Sequence, residues 1–368
     1  MLIDPSFSVV SAVAPQAADV PAPLQPHCAG QTYVVTGGAG FIGAHVVGAL
    51  LARDARVLVV DDFNDFYDPA LKEANLATFL SHPHFRLYRQ DIRDARGLEA
   101  VFTDAFGGPG QTPPPAAIVH LAARAGVRPS LTQPRLYLET NVTGTLNLAE
   151  LARVYRVPRF VFASSSSVYG DAPGQVPFVE AQDISKPISP YAATKAMGEQ
   201  LLHTYSHLYG IQVVALRFFT VYGAAQRPDL AIHKFTRLIF DGQPIPMFGD
   251  GSTRRDYTYI EDILQGVLAA LAYDTAPFDV FNLGESQTTA LATLIAMIEN
   301  ALDKSAIIQR QPAQPGDVSI TYANIDKARR LLGYQPSTPL TAGLPRFVDW
   351  FLQRQATLSG KCIFPVGL

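Results

Sequence analysis

From Thr32 onward, short β-rich runs alternate with helix-length stretches, and this rhythm leaves few folds open to the chain. Tyr33–Thr36, Arg56–Val60, Phe85–Tyr88, Ala117–Leu121, Arg159–Ala163 and Gln212–Arg217 read as strands. Arg56–Val60 becomes a continuous apolar run without polar alternation, as a strand does when helices cover both sheet faces. Ala44–Ala52, Leu138–Tyr155 and Tyr191–Tyr209 read as helices between strands. Such alternation predicts an α/β fold, a Rossmann-type doubly wound parallel sheet. Beyond about Gly223 turn signals at Gly249-Asp250-Gly251, Gln314-Pro315-Gly316-Asp317 and Gln335-Pro336 loosen the rhythm. A smaller C-terminal substrate-binding α/β domain is expected there. The expected divisions are a disordered or loosely docked tail over 1–30, a nucleotide-binding unit over 31–222, a substrate unit over 223–355 with some chain crossing back to the sheet, and a C-terminal tail over 356–368.

A formal net charge of −3 over 368 residues provides no electrostatic footprint for nucleic acid. No run approaches the roughly 20 apolar residues of a membrane span. Met1–Gly30 has no Lys or Arg, and Pro5, Pro15, Pro21, Pro23 and Pro26 interrupt it, so it does not read as a secretory signal. Cys28 and Cys362 form neither a metal spacing nor a disulfide framework. The expectation is a cytoplasmic protein with free thiols, no metal, no nucleic-acid partner and no membrane.

Gly38-Ala39-Gly40-Phe41-Ile42-Gly43, with Gly37 in front, satisfies G-x-G-x-x-G between an expected strand and an expected helix. One glycine permits the tight turn, another lets backbone N–H groups approach a pyrophosphate, and the third lets helix and strand pack closely. Gly37, Gly40, Phe41, Ile42 and Gly43 are therefore candidate contacts to a dinucleotide. Asp61 and Asp62, ending the second strand, stand near the spacing at which an acid binds the adenosine ribose. A carboxylate there repels a 2′-phosphate, so NAD is expected rather than NADP, unless Asp61 merely caps the following turn. Asp91 and Ile92 after the third strand, Leu121-Ala122-Ala123 after the fourth, and Phe218 after the sixth complete the expected cofactor contacts.

Tyr191 and Lys195 at i and i+4 share one helix face. A phenol with pKa about 10 is a poor base at neutral pH, and a nearby ammonium lowers that value. Alone, the pair reads equally as a core tyrosine with a solvated lysine. Ser164-Ser165-Ser166-Ser167-Val168-Tyr169-Gly170, however, places hydroxyls at a strand's C-terminal end, where open α/β sheets bind ligands. A hydroxyl donor, a Tyr/Lys couple and a dinucleotide site together suit hydride removal from a carbinol.

With Thr36–Gly43, the serine run and the Tyr191/Lys195 couple, residues 32 to 355 resemble the extended short-chain dehydrogenase/reductases. His120–Arg128, Tyr191–Lys195, His203–Gly210, Leu216–Gly223, Arg227-Pro228-Asp229 and Arg255–Ile260 resemble, more narrowly, UDP-glucuronate 4-epimerases of the NAD-dependent epimerase/dehydratase family. The resemblance implies that Tyr191 takes the O4 proton, that Lys195 tunes it and binds the nicotinamide ribose, and that Ser165 hydrogen-bonds the reacting oxygen. It assigns Ser166, Ser167 and Thr220 to the sugar carboxylate, Arg227 to the uronate end, Arg255 to the UDP phosphates, Asn141 to the catalytic loop or substrate, and Asp317 to substrate binding. Gln314 stands where UDP-glucose epimerases usually carry Arg. Ala224-Ala225-Gln226 departs from the family's usual Pro-Trp-Gly, removing an aromatic beside the active site. A homodimer paired through the two long helices is implied as well.

The activity so implied is epimerisation at C4 of a UDP-sugar through a 4-keto intermediate with NAD bound throughout. In a uronate that intermediate is a β-keto acid, so hydroxyls holding the carboxylate also oppose CO2 loss. The serine loop has no acid between Ala163 and Val168, which argues against a dehydratase or decarboxylase. The rivals are a UDP-glucose or UDP-N-acetylglucosamine 4-epimerase and a non-catalytic NAD-binding regulator, the latter disfavoured because Tyr191 and Lys195 are both present.

Overall fold

Successive residues of a strand face opposite sides of a sheet, and here both sides are apolar. Val35, Val57, Val59, Val119, Val161 and Val214 pack into a core on one face, while Val34, Leu58, Val60, Ile118, Phe160 and Phe162 pack into a second on the other. Burial on both faces accounts for the unbroken apolar runs. The computed structural model from which these contacts come describes residues 20–111, 113–171, 174–312 and 318–358, excluding the Leu358 side chain.

Six strands match the expected ones to within two residues at either end: β1 (Thr32–Thr36), β2 (Arg56–Asp61), β3 (Phe85–Arg89), β4 (Ala117–His120), β5 (Arg159–Ser165) and β6 (Gln212–Phe218). A seventh, Phe278–Leu283, pairs parallel with β6 and brings the later chain back to the sheet. Its polar Asp279 and Asn282 hide it from an apolar-run reading. Asn282 is fully buried, with Nδ2 donating to the Phe178 and Asn324 carbonyls and Oδ1 accepting from Tyr169. The sheet order is Phe278–Leu283, β6, β5, β4, β1, β2, β3, every pairing parallel. Chain order reverses between β1 and β4, opening a crevice at their carboxyl ends.

The expected helix over Leu138–Tyr155 begins earlier and is interrupted. Pro134–Leu138 runs into a π turn, Glu139–Thr143, and then into Gly144–Val154. The Tyr/Lys helix is Pro190–Tyr209, capped by Ser189, whose hydroxyl accepts from Ala192 N at 3.1 Å, and ended by left-handed Gly210.

The later chain adds three short pairings: Thr220–Tyr222 with Tyr257–Tyr259, Arg254–Arg255 with Thr289–Ala290, and Pro244–Phe248 with Ile307–Gln311. Within the expected N-terminal tail, residues 20–30 are seated on the protein. Leu24 N donates to Leu332 O at 3.0 Å, Gly30 N donates to Asp54 O at 3.0 Å, and Cys28 is buried. The last helix, Leu340–Leu358, extends into the expected C-terminal tail. No helix among the described residues is long and apolar enough to cross a membrane.

Candidate active site

A cleft of about 380 Å³ occupies the crevice. Gly37, Gly40, Phe41, Ile42 and Gly43 form one wall and Leu121, Ala122 and Ala123 another. The glycines are needed sterically. Gly37 has φ +69°, and a Cβ on it would lie 2.7 Å from Ala122 N. A Cβ on Gly43 would come within 2.1 Å of Gly37 O. Gly40 caps the helix Phe41–Leu51 with no side-chain hydrogen bond, and the first turn holds no acid. The helix start is thus unblocked for an anion, whose charge its N–H groups and dipole favour. These features fit a dinucleotide pyrophosphate. Gly43→Ala is expected to abolish cofactor retention, measurable as loss of bound NAD from purified, still folded protein.

At the far end of this wall, Asp61 lines the cleft and also caps the following turn. Its Oδ1 accepts from Phe63 N at 2.9 Å and from Lys72 Nζ at 3.0 Å, and its Oδ2 accepts from Ala39 N at 3.2 Å. Asp62 lines the cleft more openly, with Lys72 Nζ 3.8 Å away. Ile92 lines the cleft, but Asp91 does not: it is turned onto Arg93, whose Nε donates to it at 2.9 Å. Of the two expected neighbours, Ile92 thus stands in the lining and Asp91 just behind it. Lys72 was not singled out in the sequence, nor were Asn64, Phe66 and Tyr67, which wall the cleft after β2. The signal available for them was an aromatic-rich loop directly after the acidic pair.

Ser165, Tyr191 and Lys195 come together with Phe218 in the same cleft. The Ser165 Oγ lies 3.1 Å from Ser167 Oγ and accepts from Ser167 N at 3.2 Å, which fixes the serine turn. Burial pushes the Tyr191 phenol up, while the Ser165 hydrogen bond and the Arg227 charge pull it down. Lys195 shares the helix face of Tyr191, and its ammonium is directed by a backbone carbonyl rather than by the phenol oxygen. Its Nζ is turned to the β5 backbone, donating to Ala163 O at 2.7 Å, and stands 6.0 Å from the Tyr191 ring centroid. Burial lowers the Lys195 ammonium to about 7, with Glu199 opposing the fall.

The substrate-side residues divide. Ser166, Ser167, Thr220 and Arg227 line the cleft. Arg227 is oriented by Asp229, with Nε and Nη2 each donating at 2.9 Å, and its guanidinium lies 5.5 Å from the Phe66 ring centroid. The loop bearing it is held by two imidazoles: His45 Nε2 bonds Ala224 O at 2.9 Å and His233 Nδ1 bonds Gln226 O at 2.6 Å. Asn141 does not reach the cleft. Buried in the π turn, it accepts from Arg124 N at 2.8 Å and donates to Arg124 O and Thr194 Oγ1 at 3.0 Å each. It orders the loop after β4, with both amide protons spent on these partners. Arg255 also lies outside the cleft lining, with Nη1 donating to Arg254 O at 2.9 Å. Asp317 and Gln314 fall outside the described residues.

Residues 33–284 match the model of the NAD dependent epimerase/dehydratase family. The chain is 41% identical over 320 residues to a UDP-glucuronate 4-epimerase of Thermodesulfobacterium geofontis, covering 86% of this chain and 95% of the relative. Its structure is similar to that of UDP-glucuronic acid 4-epimerase from Bacillus cereus in complex with UDP-glucuronic acid and NAD, with TM-score 0.80, 34% identity, and coverage of 88% of this chain and 99% of the other. It is also similar to the UDP-glucose 4-epimerase of Thermotoga maritima in complex with UDP-glucose, with TM-score 0.79, 31% identity, and coverage of 88% and 99%.

Proposed function

Because this chain belongs to the NAD dependent epimerase/dehydratase family, we propose that it interconverts UDP-glucuronate and UDP-galacturonate through a 4-keto sugar, holding NAD throughout. The observation that carries the uronate reading is Arg227. It reaches the same cleft as Tyr191 beside Ser166, Ser167 and Thr220, and none of the four residues of the serine run is acidic.

Tyr191 is the base for the O4 proton, and Ser165 donates to the same oxygen as charge develops. Ser166, Ser167 and Thr220 hold the carboxylate, each charge-assisted hydrogen bond contributing roughly 1.5–3 kcal/mol. By stabilising charge on the carboxylate they slow the CO2 loss to which a β-keto acid is prone. Asp61 and Asp62 orient the adenosine end through the ribose hydroxyls, and Lys195 binds the nicotinamide ribose. NAD, when bound, would supply the hydride acceptor and donor for C4. The reaction is redox neutral, so no second substrate is needed.

Two copies pair, on this reading, through the helical faces around Pro134–Val154 and Pro190–Tyr209. Exposed Leu138, Leu146, Val154, Met197 and Leu208 on these helices support that pairing. The division of labour follows the expected boundaries, residues 31–222 mainly binding NAD and 223–355 mainly the UDP-sugar.

The test is purified protein with UDP-glucuronate and no added NAD, followed by NMR for UDP-galacturonate, with UDP-glucose and UDP-N-acetylglucosamine in parallel. Conversion of the uronate alone is expected. Conversion of a neutral sugar alone would keep the mechanism and overturn the assignment of Arg227 and the hydroxyls.

A further inference from the structure

Behind the reacting groups lies a buried ionic knot that the proposed chemistry does not use. Tyr191, Lys195 and Glu199 follow one another at i, i+4 and i+8 along the helix Pro190–Tyr209, on one face. Glu199 is 4% exposed and its partner Arg217, on β6, 3%. Glu199 Oε1 accepts from the Ser164 hydroxyl and from Arg217 Nε at 2.9 Å, and its Oε2 accepts from Arg217 Nη2 at 2.7 Å. Arg217 is itself fixed by Tyr169 OH at 3.0 Å and Glu180 O at 3.2 Å. These bonds fix the carboxylate of Glu199, which follows Lys195 by one helical turn.

Lys195 needs such an anion. It is 4% exposed, and its other surroundings are apolar, neutral or cationic. The Phe162 ring and Ala163 O face it from β5. His120 faces it from β4, bonded at both nitrogens to Thr36 and Thr145 and held neutral, pushed down to about 3 by burial and by the Lys195 charge. Tyr137 and Arg227 flank the neighbouring Tyr191. Among the described residues, Glu199 is the anion whose charge favours the ammonium form of Lys195.

We propose that Glu199 is a positioning residue for the Tyr191/Lys195 couple, its carboxylate clamped by Arg217 and Ser164 so that the ammonium form of Lys195 is favoured inside the cleft. The inference rests on reading that couple as the reacting pair. It makes the Ser164–Glu199–Arg217 cluster an electrostatic part of the site as well as packing beneath it.

The test is a lysine ¹³Cε NMR titration of the NAD-containing protein as purified, with Lys195 assigned by its loss in Lys195→Met. Glu199→Gln is expected to lower the Lys195 midpoint by about one unit or more, while Glu199→Asp stays close to wild type. Glu199→Gln leaves Arg217 buried without its partner and risks the fold. Glu199→Gln/Arg217→Met removes both charges and is expected to lower the midpoint in the same direction. The alkaline limb of turnover should move to lower pH with the midpoint. An unmoved midpoint in a folded double variant, or an equal fall in Glu199→Asp, overturns the proposal. Because the titration needs no sugar, a wild type inactive on every UDP-sugar would overturn the proposed function and leave this result standing.

Discussion

Tyr191→Phe is expected to lower epimerisation by about 10³-fold, within the 10²–10⁴ range typical of a positioned general base, while NAD content and UDP-sugar affinity stay near wild type. The phenol packs edge-on to Tyr137 at 6.2 Å between ring centroids, so a phenylalanine keeps the shape of the wall. What is lost is the proton acceptor and the oxygen bonded to Ser165. Rates come from NMR of the converting sugar, affinity from calorimetry, and bound cofactor from absorbance after release. Turnover above a tenth of wild type would mean that the base lies elsewhere, and the serine run would be the next place to look.

Arg227→Met should produce two separable effects. Its guanidinium is held in a fixed orientation by Asp229 and offers the cleft a planar cation. Losing a charge-assisted contact to the uronate costs roughly 1.5–3 kcal/mol, or about 10–150-fold in kcat/KM for UDP-glucuronate. A neutral UDP-sugar is spared this loss. The second effect is common to all substrates. Arg227 favours the phenolate of Tyr191, so its removal raises the phenol's pKa and shifts the rising limb of the pH–rate profile to higher pH. Asp229 is 40% exposed and can be solvated without its partner, so the fold should survive. An unchanged ratio of uronate to neutral-sugar activity would remove Arg227 from the specificity argument. An unchanged limb would remove it from the tuning of Tyr191.

The parts of the site legible in the sequence were those in which backbone geometry decides the matter. Gly37 and Gly43 must be glycine because of φ or because a Cβ has no room, and Leu121–Ala123 follow from a strand end at the switch point. Side-chain direction was less legible. Asp91 and Ile92 are consecutive; Ile92 lines the cleft while Asp91 is paired with Arg93. Spacing correctly placed Lys195 on the helix face of Tyr191, yet the carbonyl of Ala163 directs its ammonium. Asn141 was matched to the loop or the substrate, and a π turn, which has no strong sequence signature, turns it onto the backbone of Arg124. Lys72 was missed because its meaning lies in a carboxylate on another element. The seventh strand escaped because half-buried Asp279, held by Tyr273 and Lys327, and buried Asn282, held by the Phe178 and Asn324 carbonyls, break its apolar run.

The two imidazoles that grip the carbonyls on either side of Ala225 bear on how a sugar can turn in the cleft. His45 belongs to the helix that begins at the glycine loop, and His233 to the helix Ala231–Phe240 of the later chain. Burial lowers the pKa of both, so at neutral pH neither gains a proton that would alter its bond. Arg227 is thus tied at once to the element that carries the cofactor and to the one that faces the sugar. Parting those two helices would break one of these bonds or shift the loop that bears Arg227. On the proposed function, the swivel that exchanges the faces of the keto sugar is therefore expected in the rotatable bonds of the ligand's own diphosphate, with Arg227 held in place.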